Sequence, residues 1–322
     1  MITRRSALAA LAGLFVTRPA RAQGFPNRPI TLVVPYPAGG PVDVMARLIA
    51  QSVGGDLGQP ITVDNRSGGG GTIGSFAVAR AGADGHTLVL GTNQTHATNQ
   101  TLLRNCPYDA VRDFTAVAGV ADIQHVLVVR RGLPVDSVAA LVALAKTSPG
   151  TLNYASTGIG SASHLAAELF KIRAGVDLQH IPFRGAAPMI TELLVGRVDV
   201  TFATLPSLIG YVDARVLRPL AVASARRAQH LPDIPTLAEA GVSDVEADAW
   251  FALFAPAKTP AVAIDRLYAA LATALERPDA ARAIAAQGVT LSLRSPAELA
   301  AWLPGEVAKW AAVIKAAGLT AS

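Results

Sequence analysis

One cysteine, Cys106, occurs in the 322 residues. No intrachain disulfide can form, so packing alone must hold an exported form of this chain together. With that thiol alone, and no His-Glu-x-x-His or Cys-x-x-Cys pattern, the sequence offers no metal motif. Neither a metal nor a cofactor is expected. A Gly-x-Ser-x-Gly elbow is also missing, as are internal repeats, low-complexity tracts and basic runs interleaved with aromatics. The last absence excludes a nucleic-acid reading. No apolar run approaches the ~20 residues a membrane span requires; Ala7 to Val16 falls well short.

That short run sits in a recognisable setting. Thr3-Arg4-Arg5 precedes it, and Ala20-Arg21-Ala22 follows, just before Gln23. The pattern predicts an export leader over residues 1–22 and a periplasmic mature chain. Twin arginines admit the Tat route, while the missing Phe two places later leaves Sec equally open. The leader also carries the charge excess. It holds four of the 28 basic residues and none of the 23 acids, leaving 24 against 23. The mature chain is nearly neutral, and its roughly 300 residues suffice for two domains at ~150 each.

Apolar strand-like runs alternate with helical spacing through most of the chain. Strands are expected at residues 30–34, 61–63, 87–90, 126–129, 152–155, 198–202 and 220–223. Helices are expected at 43–53, 73–81, 138–146, 163–172, 187–195, 205–212, 236–240, 260–276, 279–287 and 296–317. This alternation predicts an α/β fold with parallel sheets covered by helices on both faces. Residues 114–129 and 249–256 look like crossings between two domains. The first domain then comprises 23–121 with 249–322, and the second 122–248.

In open α/β sheets, ligands sit beyond the carboxyl ends of the strands. The loops expected there share a composition of glycine and small hydroxyls. They are Pro37-Ala38-Gly39-Gly40, Asn65 to Thr72, Gly91 to His96, and Ser156 to His164. A strand, a tight Pro/Gly loop and a helix start at residues 30–49 leave backbone N–H groups aimed outward, which suits a carboxylate or phosphate. Gly69-Gly70-Gly71-Thr72-Ile73-Gly74 matches G-x-G-x-x-G, but the next strand ends in Gly91-Thr92-Asn93 without the acid a dinucleotide site wants. Ser161 and Ser163 precede His164, three residues after Ser161, yet no acid is placed to orient the imidazole. Two readings of this loop therefore stand. Ser156, Thr157 and Ser161 cap a helix and bind a ligand, or Ser161 and His164 serve a hydrolase or transferase. His164 itself either donates a hydrogen bond or packs. His180 and His230 read as structural. Arg184 is either an anion partner or a solvated loop charge, and Asp199 reads as a local cap.

The motifs together resemble one family. Tyr36-Pro-Ala-Gly-Gly-Pro-Val-Asp43, Asp64-Asn-Arg-Ser-Gly-Gly-Gly-Gly71, Gly91-Thr-Asn-Gln-Thr-His96 and Asn153-Tyr-Ala-Ser-Thr-Gly158 carry the likeness. So do Gly160-Ser161 with His164, Pro182-Phe-Arg-Gly185, Gly196-Arg-Val-Asp199 and Leu231 to Gly241. Their order and spacing are similar to those of the Bug, or TctC-like, periplasmic receptors of tripartite tricarboxylate transporters. The resemblance implies a type II periplasmic binding fold of two lobes, each with a central mostly parallel sheet, joined by two crossing strands and closing on a small organic carboxylate. It implies a monomeric, non-enzymatic receptor that delivers its ligand to inner-membrane permease subunits; a receptor feeding a sensor is the neighbouring alternative. Carried over residue by residue, the first lobe offers Ala38, Gly39, Gly40, Thr92 and Thr95. The second offers Ser156, Thr157, Ser161, His164, Arg184 and Asp199. Val42 stands where the family often has Thr or Ser, which removes a hydroxyl donor and suggests a less polar ligand tail.

Overall fold

The structure is a computed structural model that describes residues 24–320. The leader expected over residues 1–22 lies outside the described residues. From Ile30 onward the chain builds two sheets. Strand β1 (Ile30–Val34) is an apolar run with four fully buried residues. It ends at Pro35, and helix α1 (Pro41–Leu57) starts with Pro at its first turn behind Gly40. Pro suits that place because its missing N–H would have no partner there. Met45, Ile49, Val53 and Leu57 recur every four residues and are buried. Each contributes on the order of 1.5–3 kcal/mol by leaving water. Gly58, at φ 71°, then closes the helix.

Strand β2 (Ile61–Asn65), helix α2 (Thr72–Ala79) and strand β3 (Thr87–Thr92) complete the first parallel units. A π-helical turn over Gln94–Thr98 runs into the short helix α3 (Asn99–Leu102). Strand β4 (Phe114–Ile123) continues through Gln124 into β5 (His125–Arg130). Next come α4 (Val138–Thr147), β6 (Asn153–Ser156), α5 (Ala162–Ala174), β7 (Gln179–Pro182) and α6 (Ala186–Leu194). Strand β8 (Val200–Thr204), α7 (Leu205–Asp213) and β9 (Leu217–Val222) follow. The chain ends through β10 (Ala249–Pro256), α8 (Ala261–Leu275), α9 (Pro278–Ala285), β11 (Thr290–Arg294) and α10 (Pro296–Ala316).

Among the described residues, one sheet has the order β11-β4-β10-β3-β1-β2 and the other β7-β6-β8-β5-β9. The βαβ units pair in parallel, as the alternation predicts: β1 with β2 and β3, and β6 with β7 and β8. The strands adjoining the crossings pair antiparallel, as do β4 with β10 and β5 with β8 and β9. Both sheets are therefore mixed. A chain that leaves one sheet directly for the other has no crossover helix to bring it back in parallel.

The chain passes between the sheets twice, at Gln124 and over residues 223–248. Strands β4 and β10 run side by side from Ala249 opposite Ile123 to Pro256 opposite Phe114. Two adjacent connections of this kind make a hinge. One expected helix is not there. Thr236 and Glu239 exchange hydrogen bonds like the start of a helix, but Gly241, at φ 90°, ends it after a single turn.

The second connection carries a largely buried acid. Asp248 accepts a hydrogen bond from the Ser224 hydroxyl. Burial, with Asp122 and Glu246 nearby, raises its carboxyl to about 7 against the opposing pull of Ser224 and Lys309. The folded value lies above the unfolded value of about 3.9. Its contribution to stability is thus complete below about pH 4 and is lost as pH rises through about 7. Asp248→Asn is expected to raise the melting temperature at pH 8 and to flatten its decline between pH 4 and 8. Melts of both proteins across that range check it; an unchanged slope contradicts it.

Candidate functional site

The loops at the carboxyl ends of β1, β2 and β3 belong to one sheet, and the loop after β6 belongs to the other. Leu102, at the end of α3, meets Gly160 in the β6–α5 loop so closely that a Cβ on Gly160 would lie 2.0 Å from Leu102 Cδ2. Beside that contact is a cavity of about 640 Å³. Gly69, Gly70, Gln94, Asn99 and Arg104 line it from one side, and Ile159 from the other. A second cavity, of about 650 Å³, lies along the later part of α5 between Leu169, Arg173 and Lys309 of α10. It is lined by the sides of α5 and α10 and by Asp244 and Glu246 of the second connection, whereas the first has the strand-end loops that this fold uses for ligands.

Each loop is held by its own side chains. After β1, Ala38 and Gly39 are exposed, but the Gly39 N–H is already donated to Asp43 Oδ2 at 2.9 Å. Asp43 also receives Arg47 Nε at 2.9 Å and Asn65 Nδ2 at 3.0 Å. The Arg47 guanidinium holds the buried Asp43 carboxyl down at about 2. Gly39 therefore shapes the loop instead of offering its amide, a correction to the expected donor set. Gly40 caps α1 without a side chain, and the first-turn N–H groups after it have no partner within the helix. Val42 is buried among the core residues.

After β2, four consecutive glycines, Gly68 to Gly71, all adopt positive φ. A Cβ on Gly71 would strike Thr95 at 2.5 Å, so the tight packing of this loop on the next one requires glycine. After β3, Tyr36 Oη lies 2.9 Å from Thr92 Oγ1 and donates to Gln94 Oε1 at 3.1 Å. Burial pushes the Tyr36 hydroxyl up to about 12, keeping it protonated. Thr95 is fully buried. Its hydroxyl accepts from Thr92 N at 3.0 Å and lies 2.9 Å from His96 Nδ1. Thr95 thus supports Thr92 from behind and offers no hydroxyl to the surface. His96 stacks on Phe254 at 4.1 Å, and burial holds it down to about 3, a neutral core ring.

After β6 the loop is a chain of hydroxyls. Ser161 caps α5 by accepting from His164 N at 3.3 Å. Ser163 Oγ accepts from Thr157 N at 2.9 Å and lies 3.0 Å from Ser161 Oγ. Thr157 and Ser161 remain partly exposed. Ser156 is fully buried, with its hydroxyl 2.6 Å from His180 Nε2, so it cannot meet a ligand directly in this conformation. His164 Nδ1 accepts from Gly160 N at 2.9 Å; it packs and anchors, and Ser161 finds no base there.

Arg184 is exposed on the loop after β7 and has neither ion pair nor hydrogen bond among the described residues. Asp199 lies elsewhere. It precedes β8 at the amino end of the strand, where it pairs with Arg130 Nε at 2.8 Å and accepts from Asn153 N at 3.0 Å. Its carboxylate is committed, and the structure removes it from the site. Tyr36, Gln94, Asn99, Arg104 and Ile159 were not among the expected residues. Gln94 stands inside the Gly91–His96 motif, so its signal was present; an isolated exposed Ile159 gives none. Among the described residues, no group of three His, Cys, Asp or Glu could hold a metal ion, and no helix is long and apolar enough to cross a membrane.

Two α/β sheets, a paired-strand hinge and polar strand-end loops meeting across a gap define a hinged solute-binding receptor. The chain belongs to the tripartite tricarboxylate transporter family receptors, TctC, whose model matches residues 45–319. It is 37% identical over 317 residues to the Bordetella pertussis protein BugT, covering 97% of each chain. Among solved structures, it is similar to R. palustris Rpa4515 with adipate, at 39% identity and a TM-score of 0.79, covering 92% of this chain and 99% of that one. It is also similar to MatC from Rhodopseudomonas palustris with bound malate, at 32% identity and a TM-score of 0.75, covering 90% and 100%. The family comprises periplasmic solute-binding receptors for transporters and not enzymes.

Proposed function

We propose that this chain works in the periplasm as a monomer that captures a small organic carboxylate and hands it to inner-membrane permease subunits. Its two lobes comprise residues 23–121 with 249–322, and residues 122–248. The ligand lies between them, met by amides at the start of α1, by Tyr36, Thr92 and Gln94, and across the gap by Thr157 and Ser161. Arg184 adds a cation at the rim. Donors of this kind suit an ionised oxygen, because charge-assisted hydrogen bonds gain strength when water is excluded. The Leu102–Gly160 contact beside the strand-end cavity carries this reading, since it brings the two sets of loops together. The relatives bound to adipate and malate supply the ligand class.

A thermal-shift screen of organic acids, including adipate, malate and citrate, tests it. An acid present at 100 times its dissociation constant adds about 2.7 kcal/mol to stability. For a chain of this size, that is expected to raise the melting temperature by roughly 5–8 °C. A screen in which no organic acid raises it, while a neutral sugar does, contradicts the proposal.

A further inference from the structure

Beneath the β6–α5 loop lies a cluster of three rings in which Tyr154 and His164 both pack on His180 and lie 6.2 Å from each other. Tyr154 stacks on His180 with centroids 4.8 Å apart, and His180 stacks on His164 at 3.9 Å with the planes 9° apart. The Tyr154 hydroxyl donates to Glu168, whose carboxylate also pairs with Lys171 at 2.9 Å. The cluster is thereby fastened to the flank of α5. Its two imidazoles reach opposite ends of the loop. His180 Nε2 lies 2.6 Å from Ser156 Oγ, which itself accepts from Gly158 N at 3.2 Å. His164 Nδ1 accepts from Gly160 N at 2.9 Å, so its proton resides on Nε2. Gly158 and Gly160 have φ of 135° and 73°, states glycine adopts without strain but does not hold by itself, because its backbone is the freest of any residue.

We propose that His164 and His180 are positioning residues for ligand capture: stacked on each other, they clamp the two ends of the Ser156–Ser161 loop and so fix Thr157 and Ser161 toward the opposite lobe. The capture step rests on the carboxylate-receptor reading above; the clamp does not. Burial lowers both rings, His164 to about 3. Both are neutral near pH 7, as the contacts require. A proton on His164 Nδ1 would face the Gly160 N–H donor, and two charged rings in stacking contact would repel. The charged groups facing the two imidazoles are Glu168 and Lys171.

The contacts use different ring nitrogens, which makes the test specific. An asparagine oxygen reaches the place of Nδ1, and the glutamine amide reaches the place of Nε2. Hydrogen exchange of the Gly158 and Gly160 amides is measured by NMR in the ligand-free full chain. His164→Asn is expected to keep Gly160 protected, and His164→Gln to speed its exchange at least tenfold. At His180 the order reverses: His180→Gln keeps Gly158 protected and His180→Asn does not. Adipate affinity, read by calorimetry, follows the same crossed pattern with a five- to tenfold loss in the mismatched variants. Equal behaviour of Asn and Gln at either position, or the same order at both, overturns the proposal, because packing alone gives no reason for the order to reverse. So does a wild-type imidazole ¹⁵N spectrum that places the His164 proton on Nδ1, a readout that needs no variant. Absence of adipate, malate and citrate binding to the wild type counts against the receptor reading, while the exchange pattern still decides the clamp.

Discussion

Gly160→Ala is expected to weaken capture of the bound acid by roughly 10- to 100-fold, equivalent to about 1.4–2.8 kcal/mol. Gly160 has a φ of 73°, and its missing Cβ would lie 2.0 Å from Leu102 Cδ2. Leu102 is buried at 2% exposure, so it cannot swing aside into water. The two residues belong to segments of different sheets, and in the proposed two-lobed receptor parting the lobes relieves the clash. The substitution therefore acts on the closed population, and a ligand that needs closure binds more weakly by the fraction lost. Leu102→Ala makes room for the methyl group. The double variant is expected to recover most of the affinity, giving a coupling energy above 1 kcal/mol in a double-mutant cycle. Calorimetry on the four proteins measures it. Wild-type affinity in Gly160→Ala, or strictly additive losses, would show that the contact does not govern closure.

The largest loss of stability is expected at Glu306. This buried carboxylate, on α10, accepts from Trp310 Nε1 at 2.6 Å and from Trp250 Nε1 at 3.3 Å, and pairs with Lys309 at 2.6 Å. Trp250 belongs to β10, one of the two hinge strands, so Glu306 fastens the last helix to the hinge. Removing the acceptor strands two buried indole donors and leaves a cavity. Glu306→Ala is expected to cost about 3–5 kcal/mol, in line with breaking a buried charged network. At roughly 2–3 °C per kcal/mol, the melting temperature falls by about 6–15 °C. Glu306→Gln retains an acceptor and is expected to lose less than half as much. Denaturant titration of the three proteins checks the order; equal stability of Glu306→Ala and wild type would remove Glu306 from the hinge support.

The βαβ elements were legible because apolar runs, Pro/Gly breaks and four-residue spacing all agree at places such as Ile30–Leu57. Some elements were hidden. Strand β11 shows only partly buried residues along Thr290–Arg294, so it lacks an apolar face to announce it. The π-helical turn and α3 over residues 94–102 have almost no hydrophobic period, and packing on α10 holds them. Thr236–Ala240 had a good helix start, and Gly241 cancelled it. In the candidate site, the motifs named the strand-end loops but could not say which way each group points. Gly39 N–H turns to Asp43, and the Thr95 and Ser156 hydroxyls turn inward to His96 and His180. Those directions depend on partners 1 to 24 residues away, decided only when the loops pack. Asp199 fails for a plainer reason: strand polarity places it at the amino end of β8, away from the ligand-facing loops.

A crystal structure of the protein grown with the acid selected by the thermal screen would test the whole account most directly. It should show one carboxylate among the loops after β1 and β3, with Thr157 or Ser161 of the opposite lobe within hydrogen-bond distance. Density for the acid between α5 and α10, with the strand-end loops untouched, would contradict it.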